Sequence, residues 1–599
     1  MAKELLKRED VRVEDTWKVE DMYATAEDWE KDLKELNELT EKIAGLEGKL
    51  AESAGNLLKA LEWSAKYGEK LDLAYNYAER LFDQDQKNTK HQAMTAKVMN
   101  LYAQGAGMMA FLEPELLAMD DETLEEFYKA EPGLELYRGQ IDEIRRMKAH
   151  VLSAELEKLM AMTTEMSQVA SDTFSILNNA DFQFPEVINE KGESVRLSHG
   201  SYGALMECPD RNVRKDAFEK MYSVYKQYNN TLASLYNGQV KTLIFNAQAR
   251  KYNSTLEAAV DQNNVSPEVY KNLVDAIDAN VELLHRYVRL RKKCLGVDEL
   301  HMYDVYAPMI DGVAKEISFD EAKATVLKAL APLGEDYLAK LREGFANRWI
   351  DVYENEGKRS GAYSSGAYGT HPYVLLNYNG TLDNMFTLAH EMGHALHSCY
   401  SNENQPFIYA NYKIFVAEVA STTNEILLME YLLKNTEDKK ERAYLLNHYL
   451  DSFKGTVFRQ TQFAEFEMRS NALCESGESL NAENLNAMYL ELNKKYYGPD
   501  MISDDQIAYE WARIPHFYYN FYVYQYATSF SASVAIAKSI LNEGAPAVER
   551  YKKFLSGGCT KPPVELLKIA GVNMETAAPI EAAMKAFEEI LGEMEKLVG

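Results

Sequence analysis

Thr381-Leu-Asp-Asn-Met-Phe-Thr-Leu-Ala-His-Glu-Met-Gly-His-Ala-Leu-His397 combines an apolar face with a cluster of imidazoles. Leu382, Met385, Phe386, Ala389, Met392 and Leu396 recur three and four residues apart, the spacing of a helix with one side in a core. Thr381 stands where an N-cap is wanted, because its hydroxyl can accept from an unpaired first-turn N–H. On the remaining surface His390 and His394 are about 6 Å apart in rise and about 40° in azimuth, so both rings can reach one ion. Glu391, beside the first imidazole, is placed to act on a water. This is the H-E-x-x-H pattern, in which two neutral imidazoles hold zinc and the glutamate is the general base. Chance explains it poorly: 11 histidines in 599 positions predict only about 0.02 such matches per chain. His397 lies on the same face but about 10 Å from His390 along the axis, too far to share a tetrahedral ion, so a packing role is expected. Gly393 costs a helix about 1 kcal/mol relative to alanine, which predicts a close approach by another segment.

A catalytic zinc takes a third protein ligand and keeps one open position. The next helical pattern, residues 411–430, carries Glu418 among Phe415, Val416, Ala417, Val419 and Ala420. A carboxylate in such company needs a cation or hydrogen bonds, so Glu418 is the expected third ligand. Glu425, seven residues on and nearly in line, is a candidate partner for orienting a ligand histidine.

Outward from this site the chain reads as helix almost throughout. Leu33, Leu36, Leu39 and Ile43, or Leu71, Ala74, Tyr75 and Ala78, show the same spacing, and the expected fold is mainly α. Regular β-structure is expected in two places: a small hairpin beginning at Phe182–Ile188, and a strand over Tyr373–Tyr378 beside the zinc helix, preceded by the loop Ser360–Gly369. Three segments are expected: an N-terminal helical lobe over 1–110, a helical linker with the hairpin over 111–200, and a catalytic domain over 201–599.

Composition narrows the function classes. A net charge of −28 without a concentrated basic patch argues against nucleic acid and anionic membranes. No apolar run is long enough to span a bilayer. Met1–Tyr23 is charged and does not resemble a secretory signal, and five scattered cysteines fit a reducing compartment, so a cytoplasmic location is expected.

His390-Glu-Met-Gly-His394, Phe415-Val-Ala-Glu-Val-Ala-Ser421, Ile514-Pro-His-Phe-Tyr-Tyr-Asn-Phe-Tyr-Val-Tyr-Gln-Tyr526, Phe554-Leu-Ser-Gly-Gly558, Gly571-Val-Asn573 and Asp15–Tyr23 occur in the order and spacing of one family. On these motifs the sequence resembles the oligoendopeptidase F family, bacterial relatives of thimet oligopeptidase. The resemblance implies a two-lobed, clam-like helical body around a deep channel. It also implies one Zn2+ on His390, His394 and Glu418, and flexible oligopeptides as substrates. By analogy His516, Tyr519 and Tyr526 stabilise the transition state; read as one helix, that segment would place them near a single face. The Tyr373–Tyr378 strand, with Tyr373, Leu375, Asn377 and Tyr378, would offer an exposed edge for an extended peptide. Readings set against the endopeptidase are a zinc carboxypeptidase or aminopeptidase and a catalytically silent peptide-binding scaffold. The oligomeric state is left open.

Overall fold

The computed structural model describes residues 5–310 and 316–598, so the first four positions of the charged N-terminal segment lie outside the described residues. The chain is mainly helical and divides into two compact units, each drawn from three stretches of sequence. The first contains Met1–Ala149, Lys315–Leu428 and Ser539–Gly571; the second contains His150–Ala314, Met429–Lys538 and Val572–Gly599. Among the described residues no helix is long and apolar enough to cross a membrane. All five cysteines are unpaired thiols.

In the first unit, helices α1 (Ala26–Ala44), α2 (Ala54–Gln84) and α3 (Thr89–Met108) form where the apolar spacing predicts them. Thr25 and Ser53 cap α1 and α2 by accepting first-turn N–H bonds. Leu33, Leu36, Leu39 and Ile43 are all buried and meet Leu71, Ala74 and Ala78 of α2 and Val98 of α3. Trp29 adds a buried indole whose N–H donates to the Ala74 carbonyl at 3.0 Å.

A three-stranded sheet packs against this helical core. Its strands are β1 (Ile350–Asp351), β2 (Tyr363–Ser365) and β3 (Tyr373–Leu375), in the order β1-β3-β2. β3 is parallel to β1 and antiparallel to β2, and Tyr373 and Leu375 belong to the same hydrophobic cluster as α1–α3. The Trp17 indole N–H donates to the Val374 carbonyl at 2.8 Å, sealing the sheet on the N-terminal side. Fully buried Asp351 is compensated by Lys358 at 2.8 Å and Arg8 at 2.5 Å.

β3 leads through a turn at Gly380 into α4 (Leu382–Asn404), and α5 (Ile414–Asn435) follows. Thr381 caps α4 as expected, accepting from the Asn384 N–H at 3.2 Å. α4 and α5 meet at Gly393. A Cβ there would lie 2.6 Å from the Ser421 Cα and 2.8 Å from the Ala420 carbonyl oxygen, so only glycine permits the approach that the sequence predicts. Asn424 locks the contact: its side-chain amide donates to the Ala389 carbonyl at 3.1 Å, while its own carbonyl accepts from the Tyr337 hydroxyl at 3.0 Å.

The second unit is also helical, with a buried aromatic cluster that includes Tyr236, Phe466, Trp511 and Phe517. The hairpin read at Phe182–Ile188 is present as Glu186–Ile188 paired antiparallel with Ser194–Arg196.

Gly393→Ala should destabilise the protein by about 1–3 kcal/mol, because the collision is with backbone and outweighs the better helix propensity of alanine. Gly107→Ala in α3, whose Cβ would meet nothing within 4 Å, should be neutral or gain up to about 1 kcal/mol. Urea denaturation of the two variants measures both; equal midpoints would show that the α4–α5 contact yields freely.

Candidate metal centre

The α4–α5 contact brings together the residues that the sequence singles out. His390 and His394 project from α4 with their Nε2 atoms 3.2 Å apart. Glu418 of α5 places Oε2 3.3 Å from His390 Nε2 and 3.4 Å from His394 Nε2. A tetrahedral ion with bonds of about 2.1 Å sets its ligand atoms about 3.4 Å apart, so this triangle has the dimensions of one face of such a site. Among the described residues these three side chains form the group able to hold a metal ion. Each remains partly accessible, with side-chain exposures of 25%, 17% and 36%.

Neighbouring groups orient the triangle. Glu425 of α5 accepts from His390 Nδ1–H, which fixes the tautomer and leaves the Nε2 lone pair facing the other two ligands. The Ser421 hydroxyl donates to Glu418 Oε2 at 3.1 Å. Burial opposes ionisation of Glu418, but the neighbouring His390 and His394 imidazoles outweigh it and hold this carboxyl far below the usual range.

Glu391 is different. It is buried, and its Oε2 has no hydrogen-bond partner within the described residues. Burial pushes its carboxyl up from the ordinary value, against the pull of His390 and His394. A buried, unpaired carboxylate oxygen next to two imidazoles is arranged to receive a proton from a third party. His397 takes no part. It is buried, stacks on Tyr412 with ring centroids 3.7 Å apart, and burial drives its imidazole down to about 3, so it is a neutral packing group.

The strand read as a substrate edge is placed otherwise. β3 is the central strand: Tyr373 and Leu375 are buried, and the Val374, Leu376 and Tyr378 N–H groups donate to the carbonyls of Trp349, Asp351 and Val352. The Tyr373 hydroxyl donates to Lys18 O and that of Tyr378 to Ile317 O, while the Asn377 amide ties down Arg359 O and Gly361 O. The expectation of an exposed edge at Tyr373–Tyr378 is therefore corrected: Tyr373–Leu375 lies between two strands, and the Leu376 and Tyr378 N–H groups are taken up by the chain itself. The edge beside β3 is β2, whose three residues are half-buried.

His516, Tyr519 and Tyr526 lie in the second unit and cluster with one another. His516 Nε2 is 3.5 Å from the Tyr526 hydroxyl, and its ring is 5.4 Å from that of Tyr519. They do not share one helix, however. A short turn of helix over Pro515–Tyr518, capped by Tyr519, is followed by Asn520 and Phe521, both with positive φ (52° and 56°), and a new helix starts at Tyr524. The Phe521 N–H donates at 2.7 Å to fully buried Glu467, which holds this unusual turn. Sequence reasoning missed Glu467 and Asn424. Asn520 was the available signal, since asparagine tolerates the left-handed region.

The sequence profile of peptidase family M3 matches residues 204–586, and that of the oligopeptidase F N-terminal region, described as oligopeptidase F, matches residues 115–184. The chain is 49% identical to oligopeptidase PepF of Bacillus subtilis over 597 residues, covering 100% of this chain and 89% of that protein. It is 42% identical to the plasmid oligoendopeptidase F of Lactococcus lactis subsp. cremoris, covering 97% of each. The crystal structure of oligoendopeptidase-F from Enterococcus faecium superposes with a TM-score of 0.75 at 42% identity, covering 96% of this chain and 99% of that one. With its ligand triangle and adjacent carboxylate, the chain belongs to peptidase family M3, among the oligoendopeptidase F enzymes, and is a metalloendopeptidase.

Proposed function

We propose that the chain is a zinc-dependent oligoendopeptidase that hydrolyses internal bonds of short, unstructured peptides in the cytoplasm. The observation that carries the zinc assignment is the His390–His394–Glu418 triangle at tetrahedral spacing. Zinc held there would supply the Lewis acidity that polarises a scissile carbonyl and acidifies a water. Glu391 then accepts a proton from the attacking water and returns it to the leaving amine, so one water is consumed as one amide bond breaks. Its buried, unpaired Oε2 and raised proton affinity support that role. Glu425 keeps His390 in the ligating tautomer.

His516, Tyr519 and Tyr526 retain the proposed role of hydrogen-bond donors to the developing oxyanion, supported by their mutual grouping and by the family resemblance. Burial, and then the charge of Arg459, push the His516 imidazole down, which keeps it neutral. Main-chain pairing with substrate falls to the β2 edge at Tyr363–Ser365, since β3 is internal to the sheet. The segments 1–110, 111–200 and 201–599 are proposed as the functional divisions of the chain.

Glu391→Gln should lower kcat by about 10²–10⁴-fold while metal content stays at the parent level. Turnover of a doubly blocked peptide, with metal analysis of the same preparation, tests this; near-normal hydrolysis by a metal-replete variant would refute the base assignment.

Glu425→Ala should weaken metal affinity by about 10–100-fold, and Glu418→Ala by more, because one orients a ligand and the other is a ligand. Competition against a chelator ranks the two. Parent-like retention by Glu418→Ala would exclude it from the metal.

A blocked oligopeptide should be cut internally, whereas the same sequence inside a stably folded domain should resist, since exposing it costs several kcal/mol that hydrolysis does not supply in advance. Mass spectrometry of both substrates, with an unfolded long chain as control, reads the difference. Rapid chelator-sensitive cleavage of the folded domain would contradict selection for unstructured peptides.

A further inference from the structure

His390, His394, Ser398 and Asn402 follow one another at four-residue intervals on α4. The stripe that carries the two ligand imidazoles therefore continues toward the C-terminus of the helix as two neutral polar side chains. Both line a cleft of ≈ 80 Å³ whose other walls include Tyr368 from the loop after β2, Asn411 and Tyr412 from the segment before α5, and Asp72 from α2. The walls are mostly polar, and Asp72 is the sole charged residue among them.

The Asp72 carboxylate is held in position. Oδ1 accepts from the Asn76 side-chain amide at 2.9 Å and Oδ2 from the Tyr368 N–H at 3.3 Å, leaving each oxygen further acceptor capacity. Among the described residues it has no ion-pair partner. Arg80, whose charge reaches it, is bonded to Asn76 Oδ1 at 3.1 Å instead. Burial lifts the Asp72 carboxyl to about 6, so the group is short of a compensating cation. A half-buried carboxylate fixed at the wall of a polar cleft, with no cation of its own, is suited to accept one from outside.

Distance along the helix sets which part of a substrate could supply that cation. From His394 the axis rises about 6 Å to Ser398 and about 12 Å to Asn402. An extended peptide advances about 3.3 Å per residue, so a chain leaving the metal triangle toward the cleft would cover that span in two to four residues.

We propose that Asp72 forms the base of a subsite that receives an ammonium or guanidinium group of the peptide, two to four residues from the scissile bond. This rests on the peptidase reading above. The cation is either a lysine or arginine side chain or the peptide's own terminal amine, and the two sources share one chemistry. A charge-assisted hydrogen bond in this setting corresponds to about a tenfold preference.

The test uses the full-length, metal-replete enzyme and doubly blocked peptides with one cleavable bond. Lysine and glutamine versions are compared at each of the four positions on either side, and a further pair differs only in a free or acetylated N-terminus. The parent should favour the cationic peptide about tenfold in kcat/KM at one position, or favour the free amine, which identifies the source. In Asp72→Asn that ratio should fall to about one. Asn402→Lys, which brings a cation to the same cleft without removing the bonds of Asp72, should lower it as well, and decides the matter if Asp72→Asn does not fold. A ratio unchanged in a folded Asp72→Asn, or in Asn402→Lys, overturns the subsite. Equal cleavage of every pair by the parent overturns it too, leaving the peptidase reading intact. Failure of the parent to cut any blocked peptide would instead remove the peptidase reading, and this subsite with it.

Discussion

The contact of α4 with α5 at Gly393 is the constraint on which the metal centre depends. Two ligands come from one helix and the third from the other, so the distance between the helices is the distance between ligands. Glycine removes the side chain that would hold the backbones apart, and Asn424 bridges them by a bond to Ala389 one residue before His390. The ligand triangle is thus set by backbone packing rather than by flexible side chains reaching for an ion.

Within a few ångströms the same two helices prepare three carboxylates for different work. Glu418 is drawn toward the ionised form by two imidazoles, Glu425 fixes one of those imidazoles, and Glu391 is left buried with an unpaired oxygen. The differences come from what each carboxylate faces, not from its residue type. One arrangement of helices therefore yields a ligand, an orienting group and a base.

The metal centre was legible in the sequence because its information is local. The spacing of His390 and His394, the Thr381 cap and the apolar company of Glu418 all act within one or two helical turns, and Gly393 marks a close approach by another segment, which is α5. What could not be read depends on distant segments. β3 looks like an edge until its partners at residues 350–351 and 363–365 close on both sides. The break at Asn520–Phe521 is held by Glu467, a buried carboxylate 54 positions earlier that no local pattern connects to it. Periodicity across the tyrosine-rich stretch consequently suggested a longer helix than the chain forms.

The interleaving of the two units bears on how the chain is made. Trp17 waits for Val374, 357 positions later, and Arg8 for Asp351, 343 positions later. At about 5–20 residues per second the ribosome delivers those partners roughly 20–70 s after the N-terminus has emerged. During that interval the nascent chain must keep its first apolar surfaces from associating elsewhere. The mutual packing of α1, α2 and α3 offers a way through, since Leu33, Leu36, Leu71, Ala74 and Val98 can bury one another before the sheet exists. Early closure of that helical trio would leave a small, late-filled face for Tyr373 and Leu375, so the strand next to the metal helix docks onto a surface already in place.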